Sequence, residues 1–180
     1  MSTAEATQRT QTNEKLHTSL SNLIGGIQAN PGLANATFRA KSVLESGFLT
    51  DIRVRDFHFV SDEPEDLGGT DRGPNPVEYV LGALAACQEI VIKAYATVLD
   101  IDVKSVRVDV EGDLDLHGFL SLTDARPGFE KVSFRTRIVT SETDPEKLAS
   151  LERLAVERCP VLDIIQNPVP VKGTLTFQSE

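Results

Sequence analysis

The hydrophobic positions of this chain change period several times, and each change marks a predicted element. Over residues 14–29, Leu16, Leu20, Leu23, Ile24 and Ile27 recur at helical spacing until Asn30-Pro31-Gly32 stops the run. An amphipathic helix is expected there, weakened in its last turns by Gly25-Gly26. Residues 1–13 are polar throughout and are expected to be a frayed tail. Over residues 36–60 the period becomes two. Phe38, Ala40, Ser42 and Leu44 lie on one side; after Ser46-Gly47, Ile52, Val54, Asp56 and His58 alternate with Arg53, Arg55, Phe57 and Phe59. This is a hairpin pattern with mixed faces. A loop rich in acids, Gly and Pro fills residues 61–74.

The next stretch organises the chain. Asn75 is a helix N-cap, Pro76 suits the first helical position, and Glu78 stands where a capping-box carboxylate reaches back to the cap amide. Beyond the cap, Val77, Val80, Leu81, Ala83, Leu84, Ala85, Ala86, Ile90, Val91 and Ala94 leave hardly any polar stripe, so the helix is expected to be buried on most sides. Gln88 and Glu89 interrupt the apolar run, which reads as too short and too polar to span a bilayer. This core helix carries Cys87.

Alternation returns with Val106, Val108 and Val110, and again with Val132, Phe134, Thr136 and Ile138, across a turn or wide loop at residues 117–128. These are two strands with wet outer faces. Asp144-Pro145 caps a second amphipathic helix with the stripe Leu148, Leu151, Leu154 and Ala155. At Cys159-Pro160 that helix must stop or bend, since Pro160 lacks an amide hydrogen, and a new helical turn begins with Cys159 as its cap. Residues 172–177 alternate once more and are expected to form a last strand. Strands cluster in hairpins instead of alternating with helices, so the fold class is α+β with antiparallel pairing. No Gly-rich phosphate loop is present, which leaves nucleotide binding without support.

Composition narrows the chemistry. The 180 residues carry 18 Lys and Arg against 27 Asp and Glu, a formal net charge of −9, which argues against a nucleic-acid surface and a polybasic membrane patch. Small molecules or protein are the expected partners. The polar N-terminus offers no apolar signal segment, so the expected location is cytoplasmic. Cys87 and Cys159 are the only two cysteines. They lack the companions a zinc site needs, His17, His58 and His117 have no ligand spacing with them, and neither a metal nor a cofactor is called for.

Taken together, Pro76-Val77-Glu78, Leu81-Gly82-Ala83-Leu84-Ala85-Ala86-Cys87, the preceding Gly68-Gly69 and the distant Cys159-Pro160-Val161 resemble the OsmC/Ohr family of thiol-dependent hydroperoxide reductases. The resemblance covers residues 36–178, leaving the 14–32 helix as an extension. It implies antiparallel hairpins wrapped around a long central cysteine-bearing helix, in an intertwined homodimer with sites at the interface. Cys87 would attack an organic hydroperoxide and Cys159 would resolve the sulfenic acid as a disulfide, later opened by a dithiol reductant. In the best-described branch the catalytic Glu directly follows the Pro; Val77 stands there here, and the Pro-x-Glu spacing is similar to a sister branch with less defined substrates. Glu78 then serves as a cap.

A peroxidatic thiol needs a neighbouring cation or donors, since its unperturbed pKa is about 8.5. Arg53 or Arg55 on the first hairpin is the favoured cation, Arg72 the second choice; wet-face charge or ion pairing with the many acids is the other reading. Cap geometry on its own favours Cys159 as the thiolate, whereas the resemblance assigns attack to Cys87. The expected function is thiol-dependent reduction of organic hydroperoxides. The alternative is a noncatalytic relative that binds a hydrophobic small ligand or senses oxidants.

Overall fold

The computed structural model describes residues 3–179; of residues 3–6 and 9 only the backbone is described. Helix α1 spans Thr3–Ala29, followed by a 3-10 turn over Pro31–Ala34 that Asn30 caps through its side chain. Most of the stretch expected as a frayed tail is therefore helical. Ala4, Ala6, Gln8 and Gln11 are strong helix formers that extend the helix backward from Leu16. Met1 and Ser2 of that expected tail lie outside the described residues.

Strands β1 (Lys41–Ser46), β2 (Leu49–Val54) and β3 (Phe57–Ser61) form an antiparallel sheet in that order. The turn at Ser46-Gly47 forms as expected, with Gly47 at φ 57, in the left-handed region that glycine enters without penalty. The second turn was not legible. Arg55 adopts φ 56 and folds the expected single strand into a second hairpin, placing Phe59 opposite Ile52 and His58 opposite Arg53. Arg53 consequently shares a face with Asp51 and His58, not with Phe57 and Phe59.

Helix α2 runs Pro76–Val98 and begins with the capping box read from the sequence: Glu78 donates its amide to Asn75 Oδ1 at 2.9 Å, and the Asn75 amide donates to Glu78 Oε2 at 2.8 Å. The helix continues through Gln88 and Glu89 and is long and apolar enough to cross a membrane. One side of it packs against β4, α4 and α5 and buries Leu84, Gln88, Val91, Ile92 and Ala96, whereas Val80, Ile90 and Val98 are exposed, so within one chain the helix is not buried on most sides as its composition suggests. Strands β4 (Val103–Asp113) and β5 (Lys131–Thr140) pair antiparallel, joined through the short helix α3 (Leu116–Phe119). Helix α4 (Pro145–Glu157) is capped by the Asp144 side chain, and α5 (Pro160–Gln166) starts from Cys159, which stands at the cap position without a side-chain capping bond. One apolar cluster joins Ile92, Ala96, Ile101, Val103, Leu151 and Ala155; a second joins Leu84, Val91, Cys159 and Leu162.

The strand expected at residues 172–177 is not formed. Strand formation requires a neighbour, and nothing among the described residues pairs with this segment; Val171, Leu175 and Phe177 are 85%, 82% and 93% exposed. The resulting class is α+β, with a three-stranded and a two-stranded antiparallel sheet and a long central helix that packs on the two-stranded one.

Candidate functional site

The loop between β3 and α2 is held by one carboxylate. Asp62 is 2% exposed and accepts hydrogen bonds from the Thr70 hydroxyl at 2.6 Å, the Glu63 amide at 2.9 Å, the Thr70 amide at 3.1 Å and the Arg72 amide at 3.3 Å. The Thr70 hydroxyl leads the set of donors that hold its pKa below the usual carboxylate value. Gly69 packs so tightly on Glu63 that any side chain there would collide with the Glu63 carbonyl. The ring of Tyr79 stacks on Phe59 at 5.4 Å, and its hydroxyl donates to the Val60 carbonyl, which ties the first turns of α2 to β3. Arg72 enters this loop through its amide.

On α2, Cys87 is half-buried, and at the α4–α5 break Cys159 is sealed at 1% exposed. The two sulfurs lie 3.1 Å apart, both as free thiols. Each element contributes for a local reason. The heptad-like burial of Leu84, Gln88 and Val91 fixes the rotation of α2, and Gln88 donates to the Ala155 carbonyl at 3.2 Å, binding α2 to α4. Pro160 then ends α4 and starts α5, which turns Cys159 inward against Leu84 and Leu162. Burial pushes the Cys87 thiol above its ordinary pKa; the Val161 amide hydrogen-bonded to the sulfur pulls it down, and Cys159 raises it. No guanidinium is among the groups that shift it.

The hairpin arginines have other partners. Arg53 donates to Asp51 at 3.0 Å, beside the His58 ring, which also pairs with Asp51; Arg55 lies over the Phe57 ring at 5.0 Å. Asp51, at 8% exposed, joins β2 to β3 through His58 and pairs with Arg53 of its own strand; it was not singled out from the sequence, where its alternation with Ile52 looks like any strand carboxylate. Among the described residues, no three His, Cys, Asp or Glu side chains cluster as metal ligands. Chemically, a half-open thiol against a sealed one at this distance suits sulfenic acid formation and trapping as a disulfide, which requires closure to about 2.05 Å.

Comparison with known proteins follows the same residues. No curated protein matches the sequence. Among solved structures, an OsmC-like protein from Mycoplasma pneumoniae matches at TM-score 0.63 and 18% identity, covering 74% of this chain and 90% of that one. An OsmC-like protein of unknown function from Vibrio cholerae matches at TM-score 0.58 and 15% identity, covering 72% and 93%. A Legionella pneumophila protein described as an organic hydroperoxide resistance protein OsmC, a predicted redox protein, matches at TM-score 0.53 and 25% identity, covering 76% and 94%. The family model of the OsmC-like proteins matches residues 69–173, from the glycine of the entry loop past both cysteines. This chain therefore belongs to the OsmC-like protein family.

Proposed function

We propose that the protein reduces organic hydroperoxides with Cys87 as the attacking thiol and Cys159 as the resolving thiol. The observation that carries this reading is the pair itself: two free sulfurs 3.1 Å apart, one half-open and one sealed. The Cys87 thiolate attacks the outer oxygen of the peroxide, the O–O bond breaks, and the alkoxide leaves as alcohol with the thiol's proton. Cys159 then attacks the sulfenic sulfur, water leaves, and the disulfide forms. A dithiol restores both thiols, which suits the cytoplasm, where such reductants are maintained. Exposure supports Cys87 over Cys159 for the first step, because a peroxide has no path to a sulfur sealed among Leu84, Val91 and Leu162.

A second copy completes this reading. Every residue of β1 is exposed, and the three-stranded sheet makes its main contacts within itself. The tail alternates apolar Val169, Val171, Leu175 and Phe177 into solvent, and α2 leaves Gly82, Ala83, Ala86 and Ile90 uncovered beside Cys87. A monomer would expose all of this apolar surface. In an intertwined homodimer the arm and tail of each copy pack on the other, and an arginine of the arm, Arg53 or Arg55, lowers the raised Cys87 thiol. Among the described residues no cation is one of the groups that shift the Cys87 thiol, and this favours the other reading, a noncatalytic relative that binds a hydrophobic small ligand or senses oxidants.

The test is turnover of an organic hydroperoxide with a dithiol reductant. The peroxidase reading expects consumption by the wild type, none by Cys87→Ser, and rapid inactivation of Cys159→Ser through overoxidation of Cys87. No turnover, or turnover indifferent to Cys87→Ser, contradicts it and leaves the ligand-binding reading.

A further inference from the structure

Returning the disulfide to two thiols requires an external thiolate to attack one of two sulfurs, and the two are not equivalent. Thiol–disulfide exchange places the attacking, central and departing sulfurs close to a line, so access is needed on the side of the attacked sulfur opposite its partner. Cys159 belongs to the apolar cluster of Leu84, Val91 and Leu162, with Val132, Phe134 and Ile165 packed against it, and is itself 1% exposed, which leaves an external thiolate no approach to its sulfur. Cys87, by contrast, is only half-buried.

We infer that the reductant attacks the sulfur of Cys87 and that Cys159 is always the leaving group. This rests on the redox-pair reading above and extends it to the reductive half of the cycle. A dithiol's first thiolate bonds to Cys87 and the Cys87–Cys159 bond breaks, the electron pair going to Cys159, which takes up a proton. The second thiol of the reductant then attacks its own sulfur in the mixed disulfide, the bond to Cys87 breaks, and Cys87 leaves with a proton. One dithiol becomes one cyclic disulfide, and the protein recovers two thiols. Peroxide and reductant thus act at one sulfur. Cys159 never meets a soluble reactant, and its burial serves the cycle by denying it a mixed disulfide of its own.

The experiment starts from protein oxidised with diamide, so it does not depend on peroxide turnover. The purified disulfide form is mixed briefly with 2-mercaptoethanol, quenched by unfolding in denaturant that contains excess N-ethylmaleimide, and mapped by mass spectrometry of nonreduced peptides. The expected result is mercaptoethanol on Cys87 and maleimide on Cys159, in excess over the reverse pattern by roughly tenfold or more. The reverse pattern, an even distribution, or failure of diamide to link the two cysteines overturns the inference. A protein that consumes no peroxide but gives the expected map would contradict the peroxidase function alone. A working peroxidase that gives the reverse map would contradict only the order of attack.

Discussion

The sulfurs of Cys87 and Cys159 meet at 3.1 Å across 72 positions of sequence, where Leu84 of α2 and Leu162 of α5 pack into one buried cluster with them. Leu84 is fully buried. Leu84→Ala should cost about 2–5 kcal/mol by removing buried carbon and leaving a cavity, and should also slow disulfide formation by freeing α5. Denaturant unfolding reads the first effect, and the rate of diamide cross-linking reads the second. Normal cross-linking in a destabilised variant would show that the helix break at Pro160 holds Cys159 without Leu84.

Acid should loosen the entry loop. The folded pKa of Asp62 is depressed, above all by the Thr70 hydroxyl. A depressed carboxylate contributes stability that is fully present above its unfolded pKa, about 3.9, and is lost as pH falls through the lower folded value. The melting temperature of the wild type should therefore fall below about pH 4. Asp62→Asn should start lower at neutral pH and fall less in acid. Parallel acid profiles for the two proteins would remove Asp62 from the account.

The cation assigned to the hairpin can be read from thiol reactivity. If Arg53 or Arg55 of a second copy lies by Cys87, replacing it with Ala removes a charge that favours the thiolate. The pH midpoint of Cys87 alkylation, measured in a Cys159→Ser background, should then move upward. The arginine whose loss moves it is the activating one. If neither Arg53→Ala nor Arg55→Ala moves it, the hairpin does not serve the thiol.

Phe177 separates monomer from exchanged dimer. At 93% exposed in one chain it would tolerate a charge. In a dimer that buries the tail's apolar face, Phe177→Asp should shift sedimentation toward the monomer and make the melting temperature depend strongly on protein concentration. A wild-type monomer, or a dimer indifferent to the substitution, would contradict the exchange.

Much of the fold was legible because its signals are local. Asn75, Pro76 and Glu78 announce α2 through cap chemistry, Pro160 announces the α4–α5 break, and the valines of β4 declare their inner face. The hairpin at Arg55 was not, since a left-handed non-glycine residue leaves no mark in composition or period. Nor was the early start of α1, where polar residues of high helix propensity look like a tail. In the site, the two cysteines were found through family resemblance, because proximity across 72 positions has no local signature. Their difference in exposure belongs to packing alone: Cys159 begins a seven-residue helix whose inner side is already filled.

The central claim is that Cys87 and Cys159 form one redox couple driven by peroxide. It is tested most directly by treating the reduced protein with one equivalent of an organic hydroperoxide and measuring the intact mass and the nonreduced peptide map. The account predicts the loss of two hydrogens and a peptide pair joined through Cys87 and Cys159. An unchanged mass, or oxygen retained on Cys87 with Cys159 still free, would contradict it.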